Sequence, residues 1–373
     1  MQFSREQDNA LKAVSAWLKD GRSPIFRLFG YAGTGKTTLA RYFAETVDGS
    51  VQFAAFTGKA AQVLRSKGAT NACTIHSLIY CPRGEEEVSD EVTGKKSIAP
   101  TFALNRKSAA AQAKLIIVDE CSMVDEPLAR DLMSFRTPIL VLGDPGQLPP
   151  ISGGGFFSNG EPDFLLSEIH RQARDNPIVR LAMEVREGHD IAYGDYGAAR
   201  VITRNEVDQQ LVLEADQVLV GINRTRHLYN KRLRALKGFT ADYPQAGDKL
   251  VCLRNDPTKG LLNGSLWKVM TSQKETVKPS INLLVKPEES ERGIAKIKLL
   301  KAVFENPDHE ISWALKKRYD DFDYGYALTV HKAQGSQWDN VVLFDESFAF
   351  RDMCARWLYT GITRAAERLT IVR

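Results

Sequence analysis

Gly30-Tyr-Ala-Gly-Thr-Gly-Lys36-Thr37 fits the pattern G-x-x-x-x-G-K-[ST], and its surroundings decide how the chain is read. The apolar run Ile25, Phe26, Leu28, Phe29 predicts a buried strand entering the loop. Leu39, Tyr42, Phe43 and Val47, at near-helical spacing, predict a helix leaving it. Strand, glycine-rich turn and helix in that order make a phosphate cradle. The small residues Gly30, Ala32, Gly33, Thr34 and Gly35 let backbone N–H groups close around phosphate oxygens, and the helix start at Thr37 and Thr38 adds positive potential. Lys36 supplies a full charge for the β- and γ-phosphates of a nucleotide, and Thr37 a hydroxyl for Mg²⁺.

A nucleotide site of this kind needs carboxylates, and Leu115-Ile-Ile-Val-Asp119-Glu120 places two at the end of an apolar strand. Asp119 can hold Mg²⁺ through its water shell, and Glu120 can orient or deprotonate an attacking water. Two acids after a strand also suit an ordinary helix N-terminus, so the loop upstream is what gives the pair its meaning. Ile139-Leu-Val-Leu-Gly-Asp-Pro-Gly-Gln147-Leu-Pro-Pro150 is a second strand running into a polar turn. Gln147 can hydrogen-bond a γ-phosphate or the attacking water, but Asp-Pro-Gly is equally an ordinary turn, and this motif alone leaves both readings open.

The bulk properties agree with a nucleotide-driven globular protein. At 373 residues the chain exceeds one compact core, and 43% hydrophobic with 26% charged residues describes a folded, water-facing molecule. A net charge of +4 suits an anionic polymer without requiring one. Cys73, Cys81, Cys121, Cys252 and Cys354 are odd in number and have no C-x-x-C spacing, which argues against a disulfide framework and a zinc site and for a reducing cytoplasm. No apolar run approaches the ~18 residues of a membrane span, so neither a membrane partner nor secretion is expected.

Strand-like runs at 51–56, 115–118 and 139–142, then at 218–222, 341–344 and 369–372, alternate with helical segments, so two doubly wound α/β lobes are expected. With one P-loop between them, the second lobe has to share the nucleotide of the first. Residues 80–114 break the rhythm with an acidic cluster and a Gly94-Lys95-Lys96 turn signal, the composition of an inserted hairpin. Residues 247–323, with an Asn263-Gly264 turn between apolar runs, read as a small β-barrel-like module.

Taken in order, Gln7, the P-loop, Phe56-Thr-Gly-Lys-Ala-Ala61, Thr74-Ile-His-Ser77, Asp119-Glu-Cys-Ser122 and Gly143-Asp-Pro-Gly-Gln-Leu-Pro-Pro150 resemble the motifs of superfamily 1B helicases. Glu168-Ile-His-Arg171-Gln172, Thr329-Val-His-Lys-Ala-Gln-Gly335-Ser336 and Tyr359-Thr-Gly-Ile-Thr-Arg364 continue the series, closest to the RecD and phage Dda branch. The resemblance implies two RecA-like P-loop-type parallel-sheet lobes. The first occupies 1–79 and 115–160 with a pin hairpin at 80–114, and the second 161–246 and 324–373 with an SH3-like β-barrel insertion at 247–323.

It also implies roles. Gln7 matches the glutamine that reads adenine, and Gly335 joins the nucleotide site with Gly30 to Thr38. Arg171 and Arg364 match two arginine fingers from the second lobe, which act beside Lys36, Glu120 and Gln147. Thr57, Lys59 and His76 in the first lobe, and Thr329, His331, Lys332 and Ser336 in the second, match positions lining a single-strand track that holds phosphates without reading bases. The implied protein is a monomeric, ATP- and Mg²⁺-dependent DNA helicase. It would move 5′ to 3′ on single-stranded DNA, engage single-strand/duplex junctions, and work with replication or recombination proteins in the cytoplasm of a bacterial or phage-infected cell. The acidic flank of the hairpin departs from a duplex-wedging pin, since it repels DNA phosphates. Two other classes stay open on sequence alone: an RNA helicase of the same superfamily, and a P-loop switch or assembly subunit that never translocates.

Overall fold

A computed structural model of the chain describes residues 3–89, 96–149, 155–168, 175–256, 259–272, 279–288, 293–305, 315 and 318–373. Two six-stranded sheets organise it. The first is wholly parallel, in the order Cys73–Thr74, Val51–Ala55, Leu115–Asp119, Ile139–Gly143, Ile25–Gly30, Phe164–Leu166. Its apolar runs are continuous because both faces are covered. Leu28, Ile117 and Leu140 face one core, and Phe29, Ile116, Val118 and Val141 face the other, as a sheet clad by helices on both sides requires. The last strand corrects the lobe boundary expected at residue 160. Phe164–Leu166 pairs in parallel with Leu28–Gly30, so the first lobe continues past that point.

The second sheet runs Ala327–Thr329, Gln217–Val220, Trp338–Phe344, Ala365–Val372, Ala199–Ile202, Gly194–Asp195, parallel except for its last pairing. Five antiparallel strands from Lys249–Cys252 to Phe322–Tyr324 form the inserted β module, which is compatible with a barrel-like insertion. The module shares its core with the second lobe: Leu250, Trp267 and Ile281 pack in one cluster with Val218, Val342 and Phe344. Gly264 takes φ +84°, the left-handed turn that the Asn263-Gly264 signal asks for. The expected hairpin pairs Tyr80–Ser89 with Lys96–Leu104; its tip, including Gly94, lies outside the described residues. Among the described residues no helix is long and apolar enough to cross a membrane.

The second lobe repeats the strand–turn–helix of the P-loop, with Gln217–Val220 leading through Gly221 into the helix Asn223–Leu236. Here the Glu346 carboxylate takes the backbone donors. One oxygen accepts from Gly221 N at 2.6 Å and Ile222 N at 3.1 Å, and the other accepts from the Thr225 hydroxyl at 2.6 Å. An internal anion thus satisfies the helix N-terminus that a phosphate would otherwise satisfy, which is a physical reason for a single nucleotide site. Glu346→Ala is expected to lower unfolding free energy by about 2 kcal/mol, because it leaves the buried Gly221 N–H and the half-buried Thr225 hydroxyl without their acceptor. Urea denaturation checks this, and Glu346→Gln, which keeps an acceptor, is expected to lose less.

Candidate active site

The P-loop folds as its residues dictate. Gly33 and Gly35 adopt φ +81° and +80°, where a side chain would be strained. A Cβ on Gly30 would stand 2.7 Å from Thr34 Oγ1, so that position must stay bare for the turn to close. Lys36, first residue of the helix Lys36–Thr46, curls over the loop and donates to the carbonyls of Gly30 and, at 3.0 Å, Tyr31. Gln7 is buried and donates to Thr34 O at 3.1 Å, which seats it against the loop's outer side. Thr38 is half-buried on the helix, behind the phosphate cradle.

Opposite the loop, Thr37 Oγ1 donates to Asp119 Oδ2 at 3.0 Å, and the second oxygen of Asp119 accepts from Glu120 N at 2.9 Å. Glu120 sits at φ 52°, ψ 47°, one of three non-glycine residues at positive φ among the described residues. Such a conformation persists only where surrounding structure enforces it, and Glu120 borders the cleft. Burial first, then the charge of Glu120, push the Asp119 carboxyl upward, while Thr37 and Lys36 pull it down. A carboxylate crowded in this way, hydrogen-bonded to a hydroxyl, is a suitable donor pair for a small divalent cation.

Gln147 carries the chain of contacts across the lobes. With its amide oriented to satisfy both ends, the nitrogen donates to Glu120 Oε2 at 3.0 Å and the oxygen accepts from Arg364 Nη2 at 3.2 Å. Arg364 is 5% exposed, and its guanidinium is fixed by Thr360 O at 3.0 Å, Ser336 O at 3.2 Å and the Thr363 hydroxyl at 3.1 Å. These groups border one cleft of about 190 Å³. From the first lobe it receives Ala32, Gly33, Lys36, Thr37, Asp119 and Glu120, and from the second Gly335, Ser336 and Arg364, with Gln147 between. The loop's bare backbone, one lysine, a hydroxyl–carboxylate pair and an inter-lobe arginine are the donor set that a nucleoside triphosphate and Mg²⁺ need.

The residues expected on the strand track are more dispersed. Thr329 and His331 border a separate groove of about 480 Å³ with Pro149 of the first lobe and Phe350 of the second. His76 is exposed on the short helix Ile75–Ile79, and Lys332 is exposed near Asp321 and Asp323. Thr57 caps the helix Gly58–Ser66, accepting from Ala60 N at 3.1 Å. Lys59 is 4% exposed, because that helix start lies under the β module: a Cβ on Gly58 would meet Leu262 at 2.5 Å. Burial lowers the Lys59 ammonium to about 8 against the opposing pull of Glu288. Ser336 borders the P-loop cleft, where Gly335 at φ +76° turns the chain toward Arg364. Arg171 lies outside the described residues.

Two residues at this junction carried no role in the sequence reading. Asp144 read as part of a turn, and Tyr359 as the first letter of the motif ending at Arg364. In the structure the Tyr359 hydroxyl accepts from Ala32 N at 2.9 Å and donates to Asp144 Oδ2 at 2.7 Å.

Comparison with known proteins places this site in a family. The AAA domain model matches residues 2–206, and the UvrD-like helicase C-terminal domain model matches residues 324–372. The ATP-dependent RecD2 DNA helicase of Deinococcus radiodurans is 28% identical over 373 aligned residues, which cover 91% of this chain and 46% of that protein. The ATP-dependent DNA helicase dda of Enterobacteria phage T4 is 29% identical over 197 residues, 49% of this chain and 42% of that protein. The chain therefore spans less than half the length of these two relatives. The ATP-dependent DNA helicase Pif1 of Bdellovibrio bacteriovorus is 24% identical, with 91% of this chain and 81% of that protein covered. A Bacteroides Pif1 helicase solved with ADP-AlF3 and single-stranded DNA shares the fold at a TM-score of 0.60 and 19% identity, covering 100% of this chain and 92% of that one. With more than half of its length matched by the AAA domain model, the chain belongs to the AAA domain family, and its relatives include ATP-dependent DNA helicases of the RecD2, dda and Pif1 kinds.

Proposed function

We propose that this chain is an ATP-dependent DNA helicase that moves 5′ to 3′ along single-stranded DNA and spends each ATP hydrolysed on advancing into a duplex. The observation that carries the reading is the contact chain Glu120–Gln147–Arg364, which joins the acidic end of one lobe to a buried arginine of the other across the P-loop cleft. A cation presented by a second lobe to the phosphate site suits a motor whose lobes close and open on hydrolysis.

In this reading Lys36 and the loop N–H groups hold the phosphates, Gln7 lies at the base, and Thr37 and Asp119 hold Mg²⁺. The bound ion supplies charge neutralisation on the phosphoryl oxygens. Glu120 orients and deprotonates the attacking water, Gln147 fixes Glu120, and Arg364 stabilises charge developing on the γ-phosphoryl. Arg171 is assigned the second arginine role on motif order. Closure of the lobes brings Arg364 toward Glu120, and hydrolysis relaxes it. Strand contacts from Thr57, Lys59 and His76 on one lobe, and from Thr329, His331 and Lys332 on the other, then alternate their grip. The insertion 80–114 is assigned to the single-strand/duplex junction, and the motor acts as a monomer alongside replication or recombination proteins. ATP turnover with and without single-stranded DNA, followed by unwinding of duplexes carrying a 5′ or a 3′ tail, tests the reading. Turnover indifferent to DNA returns the chain to the switch class, and stronger stimulation by RNA of the same sequence moves it to the RNA helicases.

Lys59 gives this reading a pH signature. Its ammonium is lowered to about 8, and phosphate binding favours the protonated form. Affinity for single-stranded DNA is therefore expected to fall as pH rises through about 8, with weak base preference and a steep loss in salt. Lys59→Arg, which stays charged, is expected to flatten the pH profile in a fluorescence anisotropy titration. A parental profile already flat from pH 7 to 9.5 removes Lys59 from the track.

A further inference from the structure

Tyr359 joins the two lobes through both polar contacts of its hydroxyl, and none of the roles above uses it. It lies on the helix Cys354–Ile362 of the second lobe with its ring buried, 1% exposed. Its hydroxyl stands between two first-lobe groups, accepting from the P-loop N–H of Ala32 at 2.9 Å and donating to Asp144 Oδ2 at 2.7 Å. Burial and the adjacent Asp144 hold the phenol far above its ordinary range, and because Ala32 N–H can only donate, the hydroxyl's own proton goes to Asp144. The other oxygen of Asp144 accepts from Gly146 N at 2.9 Å, which shapes the turn that presents Gln147. A Cβ on Gly146 would stand 2.9 Å from the Tyr359 ring, so the ring fills the inside of that turn.

The next residue extends the connection. The Thr360 hydroxyl accepts from Leu148 N at 3.0 Å, at the far end of the turn, and the Thr360 carbonyl accepts from Arg364 Nε at 3.0 Å. One stretch of helix therefore touches the P-loop, both ends of the Gln147 turn and the arginine. A second contact of the same kind flanks it, with the Arg186 guanidinium stacked 3.8 Å from the ring centroid of Tyr31 in the loop.

From this we infer that Tyr359 is a positioning residue that couples the seating of a phosphate in the P-loop to the placement of Gln147 and Arg364. The inference rests on the ATPase reading above. A phosphate in the loop draws the same backbone N–H groups as the hydroxyl does, and Ala32 N–H cannot serve both at full strength. Loading the loop thereby weakens one arm of the relay, and the change reaches Asp144, the Gly146 turn and Thr360 within a single set of hydrogen bonds.

Tyr359→Phe keeps the ring and removes only the hydroxyl. DNA-stimulated kcat is expected to fall by about 5- to 150-fold, the span of a coupling between sites, while ATP affinity stays at or above the parental value because Ala32 N–H has lost its competitor. A general packing defect would instead weaken nucleotide binding along with turnover. Asp144→Asn is expected to give the same kcat loss, and the double variant no more than either single one. Parental kcat in Tyr359→Phe, equal losses in kcat and ATP affinity, or losses that multiply in the double variant each overturn the inference. If the variants fold poorly, 3-fluorotyrosine placed at 359 in the otherwise unchanged chain reads the same contact. Its ¹⁹F resonance is expected to shift on adding ADP with Mg²⁺, and an unmoved resonance at saturating ADP overturns the coupling. The two readings separate cleanly: a parental chain without ATP turnover defeats the ATPase assignment, whereas turnover retained by both parent and Tyr359→Phe defeats only the role of Tyr359.

Discussion

Lys36→Ala is expected to reduce ATP turnover by on the order of 10³ or more, equivalent to about 4 kcal/mol of transition-state stabilisation. The ammonium lies over the loop mouth, held by the carbonyls of Gly30 and Tyr31, and no other residue of the loop 30–37 carries a charge that can follow the β- and γ-phosphates. The backbone cradle survives the substitution. The Thr37–Asp119 contact survives too, so the loss should concentrate in turnover with a smaller weakening of nucleotide binding. Single-stranded DNA affinity should remain near parental, since Thr329 and His331 border a different groove. Substantial DNA-stimulated hydrolysis in a folded Lys36→Ala protein would mean that the loop does not bind the reacting phosphates.

What could be read from the sequence was the chemistry that imposes residue types locally. A loop that wraps a phosphate has to carry glycines at its positive-φ positions, and Gly33 and Gly35 occupy them. A central parallel strand has to be apolar on both faces, so 115–118 and 139–142 announced themselves. The three-residue strand Phe164–Leu166 did not, because its pairing with Leu28–Gly30 is made entirely by tertiary structure and three apolar residues carry no period. The same limit hid Tyr359. On a helix with an apolar face a tyrosine reads as core, and the partners of its hydroxyl lie 327 and 215 residues away in the chain. The burial of Lys59 was equally out of reach of the sequence. The resemblance gives Lys59 as a strand-track position, and the β module folding back over Gly58 is what encloses it. Ser336 was grouped with the strand contacts beside Lys332, but the left-handed turn at Gly335 separates the two and delivers Ser336 to the carbonyl contact with Arg364.

Arg364→Ala is expected to slow ATP hydrolysis by ~10³ or more while leaving ATP affinity within a few-fold of parental, as befits a group acting on charge that develops only in the transition state. The geometry sets the form of the loss. Three of the guanidinium's donors are committed to Thr360, Ser336 and Thr363, which aims the group at Gln147 and, through it, at Glu120. Arg364→Lys should therefore rescue little, because an ammonium cannot satisfy this planar set of acceptors while keeping a charge in the cleft. Gln147→Ala should be non-additive with Arg364→Ala, since each variant breaks the same chain of contacts. Removing a buried, hydrogen-bonded cation also takes the donor from the Ser336 carbonyl, while the Thr360 carbonyl keeps the Thr363 hydroxyl, so thermal unfolding has to be followed alongside kinetics. Steady-state kcat and KM with saturating single-stranded DNA decide the matter. A folded Arg364→Ala protein that hydrolyses ATP at the parental rate makes the arginine a strut between the helix Cys354–Ile362 and the loop at Ser336, and a loss confined to KM makes it a ground-state binding group.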